Sequence, residues 1–186
     1  MNLRKAPETV LTPRLELRVS DPAFAPQFAD ALAASRDDLF FVPGWLRAVD
    51  VEVATASLRR SVELADVDVV RHAFERDTGR YVARLDLHSW DDEAPRCELG
   101  YVADSRVTGR GLVTEAARAM LDIAWELGAQ RVQAMCDPRN EPSIRLAERV
   151  GMQHEGVLRR WERDAAGELV DQVVLAALRP VDTLRP

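Results

Sequence analysis

The run Arg106-Val107-Thr108-Gly109-Arg110-Gly111 stands between two readable segments. Before it is a strand-like stretch, Cys97-Glu98-Leu99-Gly100-Tyr101-Val102; after it, Val113, Ala117, Met120, Ala124 and Leu127 repeat at helical spacing. Residues 131–136 read as the next strand, so this unit predicts a parallel strand pair joined by a right-handed crossover. Two glycines flanking one residue let the backbone approach a ligand with no side chain between. The loop amides then join the unpaired N–H groups of the first helical turn, where the helix dipole favours negative charge. Such a loop suits a phosphate or pyrophosphate. It also suits any strand-to-helix turn that needs a positive φ. A P-loop is excluded, because no Lys-Ser or Lys-Thr pair follows Gly111, and the dinucleotide fingerprint is excluded, because Thr114 takes the place of its third glycine.

The rest of the chain supplies the partners this unit needs. Residues 1–12 show no periodicity and read as a loose lead-in. Residues 13–19 alternate as a half-buried strand, and Ser20 or Asp21 with Pro22 opens a helix bearing Phe24, Phe28, Ala31, Leu32 and Ser35 on one face. The aromatic-rich residues 37–50, interrupted by Pro43-Gly44, read as a loop that either lines a substrate site or plugs two helices together. A second helix spans about 51–65. Residues 69–75 and 80–87, joined by Asp77-Thr78-Gly79, read as an antiparallel hairpin. Residues 89–95 form a polar acidic loop before the strand 96–102. The glycine-loop helix ends near Gly128. Residues 137–143 open a fourth helix that stops at Gly151, and residues 153–163 and 169–178 close the chain as a hairpin. The expected architecture is α/β (α+β): a mixed seven-stranded sheet flanked by about four helices, in the order β α α β β β α β α β β.

Residues 1–186 are expected to form a single domain. Twenty-five Lys and Arg against 31 Asp and Glu give a formal charge of -6, which argues against non-specific nucleic-acid binding and is compatible with a cationic substrate. Cys97 and Cys136 fall in expected strands without the spacing of a zinc site or redox pair, so they read as buried thiols in a reducing compartment. No secretory leader and no apolar run of membrane-spanning length is evident, and the expected location is the cytoplasm.

Four motifs in register resemble the GNAT N-acetyltransferases of the RimJ/RimL-like branch, over nearly the whole chain. They are Thr12-Pro13-Arg14-Leu15-Glu16-Leu17-Arg18, Glu98-Leu99-Gly100-Tyr101-Val102, the loop 106–111 with Thr114-Glu115-Ala116, and Asn140-Glu141-Pro142-Ser143 with Leu146 and Gly151, followed by Glu155-Gly156-Val157-Leu158-Arg159. The resemblance implies a GNAT acyl-CoA N-acyltransferase fold. It also implies acetyl-CoA as co-substrate without a metal, bound where the strands 96–102 and 131–136 splay apart. The pantetheine arm would pair near Tyr101 and Val102, the pyrophosphate would rest on the amides of Gly109, Arg110, Gly111, Leu112 and Val113, and Asn140 would bond the arm or cap its helix. Many superfamily members carry a tyrosine where this chain has Ala147. Tyr81 and Tyr101 both lie on expected strands, and the resemblance to this branch implies Ser143 as the residue to protonate or hydrogen-bond the departing thiolate; its alternative role is a helix cap.

The implied reaction is direct attack by an amine on the thioester. Glu98 is the first choice of base, with Asp86, His88 and His72 behind it, and a salt-bridged strand residue is the competing role for Glu98. Cys136 as an acyl carrier is set aside because a buried strand thiol without an adjacent base is inert. The expected acceptor is a primary amine at a peptide or protein N-terminus. The alternatives are a small amine, amino acid or drug, and a non-catalytic acyl-CoA-binding module. No nucleic acid or membrane partner is expected, and a homodimer is left open.

Overall fold

The computed structural model describes residues 2–36, 50–164 and 167–180. Its elements are β1 (Thr9–Leu11), β2 (Leu15–Arg18), α1 (Ala25–Ser35), α2 (Val51–Glu63), β3 (Val69–Glu75), β4 (Tyr81–Asp91), β5 (Arg96–Ala103), α3 (Leu112–Glu126), β6 (Arg131–Cys136), α4 (Glu141–Arg149), β7 (Gln153–Arg163) and β8 (Leu169–Leu178). The strands form one sheet in the order β1-β2-β3-β4-β5-β6-β8-β7. Every neighbouring pair is antiparallel except β5 and β6. All seven expected strands are present. The eighth, β1, lies in the stretch expected to be a loose lead-in, where three residues pair with β2 from Thr9↔Arg18 to Leu11↔Glu16.

Side-chain alternation sets up two cores, one on each face of the sheet. Leu15, Leu17, Leu85, Leu87 and Leu99 pack with Met120, Ala116, Ala117 and Ala124 of α3 and Leu146 and Ala147 of α4. On the other face Phe74 and Tyr81 meet Phe28 and Leu32 of α1 and Ala54 and Leu58 of α2. Leu15, Leu17, Leu85, Leu87 and Met120 are completely buried, each worth about 1.5–3 kcal/mol relative to exposure. The central strand β3 is buried along its whole length, as a strand covered on both faces must be.

Local chemistry places the element ends. Asp50 caps α2 by accepting from the Val53 amide at 2.8 Å. Asp21 caps a short 3-10 turn, Pro22–Phe24, that runs into α1. Strand β4 extends to Asp91 through a ladder irregularity after His88, so the acidic loop is shorter than its composition suggests. The aromatic loop around residues 40–46 lies outside the described residues.

Candidate active site

Strands β5 and β6 pair over only three positions, Arg96↔Arg131, Cys97↔Val132 and Glu98↔Gln133. Beyond them β5 stays with β4 as far as Ala103, and β6 stays with β8 as far as Cys136. The two parallel strands therefore part from Leu99 and Ala134 onward, leaving two backbone edges without a strand partner between them among the described residues. The gap is a cleft of about 680 Å³ whose lining includes Glu98, Tyr101, Val102, Asn140 and Ser143. An open strand edge offers N–H and C=O groups to any extended chain that carries amides.

On the α4 side, Asn140 is the helix cap, its Oδ1 accepting from the Ser143 amide at 3.2 Å. Ser143 thus stands in the first turn of α4, and its own hydroxyl is engaged elsewhere. Tyr101 shares a short hydrogen bond with Ser143 Oγ and also donates to the Ser143 carbonyl at 3.2 Å. Cys136 Sγ lies 3.4 Å from the same Oγ. Sequence reasoning placed Tyr101 on its strand but did not bring its phenol to Ser143, 42 residues away. Burial holds the Cys136 thiol above its ordinary value, opposed by the Ser143 bond, which fits an inert thiol.

The other side of the cleft is a charged network. The register sets His88 opposite Glu98 and Asp86 opposite Gly100. His88 Nδ1 is 2.8 Å from Asp86 Oδ2, His88 Nε2 is 3.7 Å from Glu98 Oε1, and Gln133 Nε2 donates to Glu98 Oε2 at 3.1 Å. Arg84 pairs with Asp86. A side chain at Gly100 would bring its Cβ to 3.1 Å from Asp86 Oδ2, so the glycine is what admits this carboxylate. Burial pushes Asp86 up, and the Arg84 charge and His88 bond outweigh it, holding the carboxyl below its ordinary value. Burial also works against the His88 charge, yet the bonds and charges of Asp86 and Glu98 raise it to about 10. Glu162, from the β7 hairpin, joins the lining, and burial together with the Glu98 charge pushes it up. Asp68 is raised by burial and by Asp86. Neither Glu162 nor Asp68 was singled out from sequence.

His72 is elsewhere. It is fully buried between Phe24, Phe28 and Tyr81, bonded to Ser20 and Tyr81, and pushed down to about 3 by burial. The hairpin does bring it near in sequence, but strand alternation turns it into the α1 core, and it takes no part in the cleft.

Because its folded value lies above the 6.5 of an unperturbed imidazole, His88 stabilises the fold fully below about pH 6.5, and that contribution is lost as pH rises through about 10. Proton NMR of the His88 ring should show a midpoint near 10; a midpoint at or below 6.5 would remove the cation from between Asp86 and Glu98.

The glycine loop lies outside the lining of the cleft, one 3-10 turn (Ser105–Val107) beyond the end of β5. Gly109 and Gly111 have φ of +77° and +75°, left-handed values that explain both glycines. The first ladder bond at the start of α3 is Glu115 N–H to the Gly111 carbonyl at 3.1 Å. Among the described residues, the amides of 109–114 make no backbone hydrogen bond. Leu112 and Val113 turn their side chains into the core, and Arg110, half exposed, turns its guanidinium onto Glu75 at 2.7 and 2.8 Å. Glu115 locks this start to the turn between β1 and β2, accepting from the Thr12 hydroxyl, the Arg14 amide and Arg14 Nε at 2.6, 2.8 and 2.6 Å. Two motifs a hundred residues apart in sequence are thereby one structure. Among the described residues no group of three or more His, Cys, Asp or Glu is placed to hold a metal ion.

A mixed sheet split between two parallel strands, with amides at the next helix start that make no backbone hydrogen bond among the described residues, defines the class of fold. Residues 14–153 match the acetyltransferase (GNAT) domain, and the chain belongs to that family. The protein "Uncharacterized N-acetyltransferase p20" of Bacillus licheniformis is 30% identical over 105 residues, covering 56% of this chain and 58% of that protein. The chain spans 58%, 41% and 46% of three curated relatives it matches, about half their length. Two solved structures share the fold. The ribosomal-protein-S5-alanine acetyltransferase of Vibrio fischeri superposes with a TM-score of 0.80 at 17% identity, over 96% of this chain and 99% of that one. Mycobacterium smegmatis RimJ in complex with CoA-disulfide gives 0.80 at 22% identity, over 88% and 81%. No helix among the described residues is long and apolar enough to cross a membrane.

Proposed function

We propose that the chain is an acetyl-CoA-dependent N-acetyltransferase acting on a primary amine at a peptide or protein N-terminus. The observation that carries this reading is the cleft between β5 and β6, with hydroxyl donors on its α4 side and carboxylates on the other. The residues present fit the co-substrate. Unpaired edges near Tyr101 and Val102 match an amide-bearing pantetheine arm, Asn140 borders it, and the amides of Gly109, Arg110, Gly111, Leu112 and Val113 match a pyrophosphate. Acetyl-CoA supplies an acetyl group activated as a thioester.

The chain's own residues then divide the work. Asp68, Asp86, Glu98 and Glu162 outnumber the Arg84 and His88 cations on one wall, a balance that favours an ammonium. An ammonium has no lone pair, so it must lose a proton before it attacks, and Glu98 takes that proton directly or through water. A β5 amide stabilises the oxyanion. When the C–S bond breaks and its electron pair stays on sulfur, the Ser143 hydroxyl donates a hydrogen bond to the thiolate. The solved neighbours include a ribosomal-protein-S5-alanine acetyltransferase, which supports a protein acceptor, and a ribosomal one would place the reaction in the cytoplasm.

Incubation with acetyl-CoA and a panel of N-terminal peptides and small amines should give an N-terminally acetylated peptide by mass spectrometry, with a peptide KM that rises with salt. Acetylation of only small amines would overturn the peptide assignment. Coenzyme binding without any product would leave a non-catalytic binding module.

A further inference from the structure

Two hydroxyls and two protons lie between Tyr101 and Ser143. The Tyr101 phenol faces two acceptors, the Ser143 carbonyl at 3.2 Å and Ser143 Oγ, and it has one proton to give. When that proton goes to the carbonyl, the Ser143 proton is consumed by the short bond back to the phenol. When it goes to Oγ, the Ser143 proton is released. Cys136 Sγ, 3.4 Å from Oγ, is a weak donor to the same oxygen. Both side chains line the cleft where β5 and β6 part.

We propose that Tyr101 is a positioning residue for the leaving-group end of the site, its phenol donating to Ser143 Oγ so that the single Ser143 proton is free for the departing thiolate. This rests on the reading of Ser143 as the thiolate donor. The phenol keeps its proton, because burial raises it far more than the Ser143 bond lowers it, so Tyr101 acts as a donor and not as an acid. No proton leaves either hydroxyl: the C–S bond breaks, its electron pair stays on sulfur, and the chain Tyr101 O–H to Ser143 O–H to sulfur solvates the new anion. Hydrogen bonds in such a chain polarise one another. The same phenol ties β5 to the first turn of α4, holding the donor against the strand edge.

Tyr101→Phe keeps the ring and its packing and removes only the hydroxyl. We expect kcat to fall roughly tenfold with KM for acetyl-CoA unchanged, the upper end of what one hydrogen bond between neutral groups contributes. A second readout needs no turnover. The thiol pKa of bound coenzyme A, followed by thiolate ultraviolet absorbance against the protein alone, should rise by about one unit in Tyr101→Phe, the equivalent of that tenfold change. Ser143→Ala should shift both quantities further, and Tyr101→Phe added to Ser143→Ala should change neither again. A Tyr101→Phe enzyme with lower melting temperature but parental kcat and parental thiol pKa would make the phenol a strap between β5 and α4 and overturn the proposal. Additive losses in the double variant would overturn it as well. If Ser143→Ala alone leaves both readouts unchanged, the assignment of Ser143 fails first and takes the Tyr101 role with it.

Discussion

Ser143→Ala should lower kcat by roughly 100-fold or more while leaving the acetyl-CoA KM close to that of the parent. A KM effect would signal lost ground-state binding, whereas the thiolate exists only after the C–S bond has begun to break. The competing role, a helix cap, is filled by another residue: Asn140 Oδ1 takes the Ser143 amide, and the Ser143 hydroxyl is bonded to Tyr101. Removing the hydroxyl therefore leaves the cap of α4 intact. If Ser143 were a cap, its loss would cost about 1 kcal/mol of stability with kcat preserved. A Ser143→Ala enzyme with parental turnover would end the leaving-group assignment.

Gly111→Asp should weaken coenzyme binding by on the order of 100-fold, less than the roughly 4 kcal/mol that two unit charges 4 Å apart exert near a protein surface. The variant is expected to fold. A Cβ at Gly111 would lie 3.6 Å from Arg14 Nη2, an ordinary contact, and aspartate is among the residues that tolerate a left-handed backbone. Arg14 is already bonded to Glu115 and to the Arg110 carbonyl, which limits how far it neutralises the new charge. Gly111→Ala separates strain from charge, since it carries the same φ of +75° without the carboxylate. Calorimetry that finds Gly111→Asp binding acetyl-CoA as the parent does would take the pyrophosphate away from this loop.

What sequence alone reveals here follows from how local each signal is. The crossover unit, the hairpins and the glycine stops are written in short-range periodicity and turn chemistry, and those elements match closely. Strand β1 is three residues long and gains its identity only from pairing with β2, so no pattern of its own announces it. The end of β4 is hidden because Ser89 adopts a φ of 54° and the ladder shifts, which breaks the alternation that marks a strand. In the site, strand alternation already puts Asp86 and His88 on one face; their meeting with Glu98 needs the β4–β5 register, which the acidic turn leaves free. Glu162 enters the cleft through an irregular stretch of the β7–β8 ladder, and Tyr101 meets Ser143 only once β5 and α4 are both placed. Contacts of that kind are tertiary and leave no local trace.

The three-position seam between β5 and β6 also has a thermodynamic consequence. Among the described residues it is the one parallel joint in the sheet, with β1 to β4 and α3 gathered on one side and β8, β7 and α4 on the other. A chain lying along both free edges would complete the sheet and tie the two halves together. Binding and folding then become linked functions: a ligand held only by the folded form at a hundred times its Kd adds about 2.7 kcal/mol to the unfolding free energy. Resistance to heat would then rise and fall with the concentration of the molecule that fills the gap.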